Sequence, residues 1–126
     1  MRGQRILLVE DDEDLRRMFR QVLTLAGYEV HEAGDGLEAL RSLERDLPDA
    51  VILDLGLPVL SGHVVLQEIA AQAHTQRVPV IVVTGEPGLH DDLEVACVLR
   101  KPVSAARLLY RVRSCIASGG TLFQNS

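Results

Sequence analysis

Four apolar runs in this chain stop abruptly at polar residues, and the polar types complement one another. Ile6-Leu7-Leu8-Val9 runs into Glu10, Asp11 and Asp12, and Ala50-Val51-Ile52-Leu53 into Asp54. The run from Val78 to Val83 ends in Thr84, and Cys97-Val98-Leu99 is followed by Arg100 and then Lys101. Glu10, Asp11 and Asp54 are hard oxygen donors of the kind that hold Mg²⁺, which takes one or two carboxylates and leaves room for phosphate oxygens. Without a cation such carboxylates would repel one another and some would have raised pKa values. With one, Asp54 stays ionised and is a competent oxygen nucleophile toward phosphorus. Lys101 would add a compact positive charge and Thr84 a hydroxyl donor for the phosphoryl oxygens.

Each residue also has a plainer reading. Asp12, or Asp11, could simply cap the helix that follows, and Glu10 could be a solvated neighbour. Asp54 could cap a loop, Thr84 could serve strand propensity, and Lys101 could be a surface charge. What raises the chemical reading is convergence. His31, His63, His74 and His90 share no spacing and are expected to be non-catalytic. Cys97 and Cys115 lack metal-ligand spacing and read as two buried thiols in a reducing compartment.

Convergence requires elements that bring these strand ends together. Apolar runs without alternation predict strands buried on both faces at 6–9, 50–53 and 78–83, with Pro79 tolerated near a strand start. Tyr28 to Glu32 alternates and suits a strand nearer the edge, and Cys97 to Leu99 is a short fifth strand. Between them, Asp12 to Ala26 carries Leu15, Met18, Phe19, Val22, Leu23 and Ala26 on one helical stripe, with Gly27 as its stop. Leu37, Leu40 and Leu43 predict a helix from Asp35 to about Asp46. Val65, Leu66, Ile69 and Ala73 predict another from Ser61, its N-cap. Ser104 to about Ala117 predicts the last, burying Ala105, Leu108, Leu109, Val112 and Ile116. Alternating strands and helices predict an α/β fold, a parallel sheet covered on both faces. In such sheets ligands bind beyond the carboxyl ends of the strands, where these polar residues fall.

Composition narrows the function further. The chain has 126 residues, 47% of them hydrophobic, and a mean hydropathy of +0.12, which fits one globular domain. A net charge of -5 and 3% aromatic content argue against direct nucleic-acid binding. No apolar run is long enough to cross a bilayer or to form a signal-peptide core, so a cytoplasmic protein with no membrane partner is expected.

The segments ILLVEDDEDLR, VILDLGLPVLSG, VIVVTG and LRKPV together resemble the receiver domain of bacterial two-component response regulators, over nearly the whole chain. The resemblance implies a flavodoxin-like doubly wound five-stranded parallel sheet of order 2-1-3-4-5. It implies that Asp54 is the phosphoacceptor, charged from the phosphohistidine of a sensor histidine kinase or a histidine phosphotransfer protein. Asp11, Asp54 and the backbone carbonyl of Gly56 would hold Mg²⁺, with Glu10 in the acidic pocket. Thr84 and Lys101 would report phosphorylation to the surface, toward a downstream effector protein or a fused domain. The expected organisation is a receiver domain over 1–118 and a flexible C-terminal tail over 119–126. Such a domain is a conformational switch and not an enzyme beyond its own phosphorylation and dephosphorylation. Two alternatives stand beside it. One is a docking module independent of phosphorylation. The other is a haloacid dehalogenase-like phosphohydrolase, which would need a second Asp where Gly56 stands.

Two positions depart from the family pattern. An aromatic residue usually stands three positions before the lysine, where this chain has Val98. Thr84 and Lys101 are only 17 positions apart, and Gly85, Pro87 and Gly88 fall between them, so the fourth helix is expected to be short or irregular.

Overall fold

The computed structural model describes residues 3–88 and 93–117. Five strands, β1 Arg5–Val9, β2 Glu29–Ala33, β3 Ala50–Leu53, β4 Val80–Thr84 and β5 Cys97–Arg100, form one sheet. All pairings are parallel, in the order β2-β1-β3-β4-β5. Among the described residues four helices accompany them: α1 Glu13–Leu25, α2 Gly36–Arg45, α3 Gly62–Ala71 and α4 Ala105–Ala117. This is the flavodoxin-like doubly wound architecture.

The pleat sorts the core into two clusters. Leu7, Val9, Val51, Leu53, Val80 and Val82 face Ala39 and Leu43 of α2 and Val65, Leu66 and Ile69 of α3. Their neighbours Ile6, Leu8, Ile52, Ile81, Val83 and Leu99 face Phe19 and Leu23 of α1 and Leu108 and Val112 of α4. Strands β1, β3 and β4 are therefore clad on both faces, which is why their sequences read as unbroken apolar runs. β2 and β5 lie at the edges and are only partly buried.

Local signals set the helix starts. Asp12, Asp35 and Ser61 are extended N-caps whose side chains accept from Leu15, Glu38 and Val64 N–H groups. The Asp12 capping role stands as read from the sequence. Gly27, at φ 100°, turns the chain out of α1.

Several expectations are corrected. Met18 and Leu37 are 38% and 40% exposed, because the apolar stripes that pack are narrower than the periodic pattern. The third helix ends at Ala71, leaving Ala73 exposed beyond it. β4 starts at Val80, not Val78: the Val78 N–H closes a turn onto Thr75, and Pro79 has no N–H for the ladder. Cys97 and Cys115 are half-buried, not buried: Cys97 opens the edge strand β5 and Cys115 lies in the last turn of α4. Among the described residues no helix lies between β4 and β5, in line with the irregular segment expected there. The expected tail, 119–126, lies outside the described residues.

Candidate functional site: an acidic pocket at the strand ends

Register brings the polar strand ends together. Val9 pairs with Leu53, and Leu53 with Val82, so Glu10 and Asp54 leave adjacent central strands at the same level. The Asp54 N–H donates to the Val9 carbonyl at 3.1 Å and the Glu10 N–H to Ala33 at 3.1 Å, extending the ladder one residue past each strand. Carboxylate oxygens of Glu10, Asp11 and Asp54 all lie within 4.8 Å of one another. Glu10 is 2% exposed and Asp54 6%, whereas Asp11 faces solvent.

Lys101 closes the cluster from the other side. Its N–H donates to the Thr84 carbonyl at 2.9 Å just past the β4–β5 ladder, which sets the residue at the rim. The ammonium then reaches Glu10 Oε1 at 2.9 Å and Asp54 Oδ2 at 3.2 Å. Burial pulls the Lys101 pKa down, but the bonds and charges of Glu10 and Asp54 outweigh it and hold it above its ordinary value. Glu10 moves upward as well, chiefly because burial disfavours its charge, with the Asp54 carboxylate adding to the push. The Lys101 ammonium and the Asp12 N–H, at 3.1 Å from Glu10 Oε2, only partly offset this.

Both oxygens of Asp54 are held, Oδ2 by Lys101 and Oδ1 by the Gly56 N–H at 3.1 Å. Thr84 is fully buried, and its hydroxyl accepts from the Glu86 N–H at 3.0 Å. The residues predicted from the strand ends therefore converge, with Thr84 joined to Lys101 through the backbone and turned toward Glu86. Three carboxylates against one ammonium leave excess negative charge. Hard oxygen donors and one solvent-facing member make the set a fit for a small divalent cation.

Sequence reasoning missed the second rank around this pocket. Arg16 donates from Nη1 to the Glu10 carbonyl at 2.8 Å while its Nε pairs with Glu32 at 3.0 Å. His63, on the first turn of α3, meets Glu86 at 3.0 Å, and the Arg100 guanidinium donates to the Glu86 carbonyl. These contacts span 6 to 23 residues in sequence, and no periodic pattern announces them. Small residues could have been a signal. A Cβ on Gly62 would fall on the Asp54 carbonyl oxygen and, at 2.6 Å, on the Leu55 Cα, so α3 packs directly under the pocket loop only because residue 62 is Gly.

The fold and the pocket define a class, a flavodoxin-like α/β domain with a charged cleft at the carboxyl ends of its central strands. The family model described as the response regulator receiver domain matches residues 6–113, and the chain belongs to that family. It is 37% identical, over 97% of its length, to the transcriptional regulatory protein PrrA of Mycobacterium tuberculosis, and covers 54% of that protein. It is 36% identical to the response regulator PleD of Caulobacter vibrioides over 87% of its length, covering 25% of that protein. The chain thus spans about half or less of the length of these relatives. Among solved structures, it superposes with a TM-score of 0.84 on the receiver domain of the sensor histidine kinase PA1611 from Pseudomonas aeruginosa. Identity there is 36%, with 91% of this chain and 98% of that one covered, and that structure has magnesium coordinated in its active-site cleft. A CheY-like receiver domain protein from Methanospirillum hungatei gives 0.85 at 26% identity, covering 92% and 95% of the two chains. The protein is a two-component signalling domain. Among the described residues no helix is long and apolar enough to cross a membrane.

Proposed function

We propose that Asp54 is the phosphoacceptor of this receiver domain, charged in a Mg²⁺-dependent reaction from the phosphohistidine of a sensor histidine kinase or histidine phosphotransfer protein. The observation that carries the reading is the meeting of Asp54, Glu10, Asp11 and Lys101 at one rim, with carboxylate oxygens within 4.8 Å and the ammonium within 3.2 Å. Asp11, Asp54 and the Gly56 carbonyl would hold the Mg²⁺, with Glu10 beside them in the acidic pocket. When bound, the cation supplies positive charge that lets the carboxylates and the phosphoryl oxygens coexist.

The chain's own groups do the rest. The Gly56 N–H and the Lys101 ammonium orient the two Asp54 oxygens, which limits the carboxylate to few poses and favours in-line attack. An Asp54 oxygen forms the new O–P bond as the N–P bond of the donor phosphohistidine breaks, and the imidazole leaves with the bonding pair. Lys101 is long enough to stay with the transferred group and neutralise its oxygens. Thr84 exchanges its Glu86 partner for a phosphoryl oxygen, carrying the change into the segment after β4. That segment, with Val98 in place of an aromatic residue, delivers the signal through a remodelled surface to an effector protein or fused domain.

The receiver unit is assigned to 1–118 and the tail to 119–126, in a cytoplasmic protein that contacts neither nucleic acid nor membrane directly. It catalyses nothing beyond its own phosphorylation and dephosphorylation. Incubation with Mg²⁺ and phosphoramidate, read by intact mass, tests the proposal. One added phosphoryl group in wild type and none in Asp54→Ala is expected. Equal modification of both proteins, or turnover of phosphomonoesters, would sink it, and no modification of either would favour docking without phosphorylation.

A further inference from the structure

Beside the acidic pocket, one residue of the segment after β4 is held from three elements at once. In Thr84-Gly85-Glu86-Pro87 the proline disfavours helical backbone at Glu86, so Glu86 leaves the strand end extended. Its carboxylate meets His63 Nε2, in the first turn of α3, at 3.0 Å. Its carbonyl accepts from the Arg100 guanidinium at the end of β5, and its N–H donates to the Thr84 hydroxyl at 3.0 Å. Each anchor adjoins the pocket in the chain. His63 follows Gly62, whose N–H donates to the Leu55 carbonyl at 3.0 Å just past Asp54, and Arg100 precedes Lys101. Among the described residues the Thr84 hydroxyl bonds to no atom of Asp54, whose oxygens are held by Gly56 and Lys101.

We propose that Glu86 is a clasp on the resting switch: gripped by His63 and Arg100, it keeps the Thr84 hydroxyl on its own N–H and opposes the turn of that hydroxyl toward a phosphoryl group on Asp54. The inference rests on the reading of Asp54 as phosphoacceptor and adds a regulator to that site. Thr84 is fully buried, so its hydroxyl has no water to fall back on when it gives up the Glu86 N–H. Turning it away strands that N–H unless residue 86 moves too, and the ties to His63 and Arg100 resist the movement. His63 and Arg100 are thus positioning residues that act on Thr84 only through Glu86. The His63–Glu86 pair is half-exposed, so its contribution is small and the clasp sets a bias, not a lock.

Calorimetric titration of beryllofluoride, a tetrahedral phosphoryl mimic, into the Mg²⁺-loaded full chain reads that bias. His63→Ala and Glu86→Ala should each bind it about two- to fivefold more tightly than wild type, the range that an exposed ion pair supplies. The double variant should bind no more tightly than Glu86→Ala, since both changes release the same clasp. A purely structural role would weaken binding instead, because a loosened rim loses its geometry. Unchanged or weaker binding in His63→Ala would overturn the clasp, and so would additive gains in the double variant.

Hydrogen exchange at the Glu86 amide, followed by NMR without Mg²⁺, is independent of Asp54. It should speed up at least about twofold in His63→Ala but not in His74→Ala, a histidine exposed in the turn after α3. Unchanged exchange in His63→Ala would also overturn the clasp. Wild type that fails to bind beryllofluoride would overturn the Asp54 reading and the regulation built on it, whereas wild type that binds while His63→Ala gains nothing would overturn the clasp alone.

Discussion

The rim at the ends of β1 and β3 and the segment joining β4 to β5 border the same pocket, yet they are built on different principles. Glu10 and Asp54 grow directly out of strands with every residue of Ile6–Val9 and Ala50–Leu53 buried, so their backbone is set by the two-sided core. The segment after Thr84 has no helix among its described residues; Leu93 and Val95 pack on the core only in part, and polar ties do the rest: Glu86 to His63, Arg100 to the Glu86 carbonyl, and the Glu86 N–H to Thr84. Apolar burial is non-directional and cooperative, whereas each exposed ion pair contributes little. The proposed phosphoryl chemistry thus sits on the two-sided core, and the proposed response on a segment with less buried apolar support.

The contrast can be broken most directly by cavity mutations. Leu53→Ala, in a fully buried position of β3, should lose about 2–5 kcal/mol in urea unfolding. Leu93→Ala, only partly buried in the segment before β5, should lose about 1 kcal/mol or less. Equal losses would mean that the segment is as firmly built as the core.

Next in size is the pocket's own electrostatics. Lys101→Ala strands the buried Glu10 carboxylate and should cost about 1–3 kcal/mol. Millimolar Mg²⁺ should recover part of that loss, and a loss insensitive to Mg²⁺ would count against a cation on these carboxylates. Glycine substitutions give a sharper pair. Gly62→Ala gains helix propensity of about 1 kcal/mol, but the new Cβ meets backbone atoms of Asp54 and Leu55 that cannot step aside. Steric cost should win, for a net loss of about 1–3 kcal/mol. At Gly85 the nearest neighbour is the Lys101 side chain at 3.9 Å, so Gly85→Ala should stay within about 0.5 kcal/mol of wild type.

A gain rather than a loss of stability is expected at Val59, an exposed β-branched residue held at φ 68° in the loop that follows Asp54. That conformation suits Asn far better than Val, so Val59→Asn should add about 1 kcal/mol of stability. No gain would mean the loop relaxes around Val59 at no cost.

Much of this molecule was legible in one dimension because its signals are local. Unbroken apolar runs marked the strands clad on both faces, and Asp12 and Ser61 marked helix starts through bonds made only three residues away. The carboxylates and Lys101 were found because strand ends in a parallel sheet share one rim, so position along each strand was enough. The plain reading of Cys97 and Cys115 as buried thiols failed because burial on an edge strand or in the last turn of a helix depends on what lies beside it. Met18 failed for a related reason, since a helical period does not say how wide a stripe the sheet will cover.

By itself, then, the sequence determined the element order, the parallel sheet and the identity of the residues that meet at the pocket. Those follow from hydrophobic periodicity and chain connectivity. Only the tertiary structure decided that Glu10 is buried while Asp11 is not, that Lys101 already bridges Glu10 and Asp54, and that Glu86 is held by His63 and Arg100. Pairings between distant segments depend on strand register and helix packing, which sum contributions from the whole core and leave no trace in any local pattern.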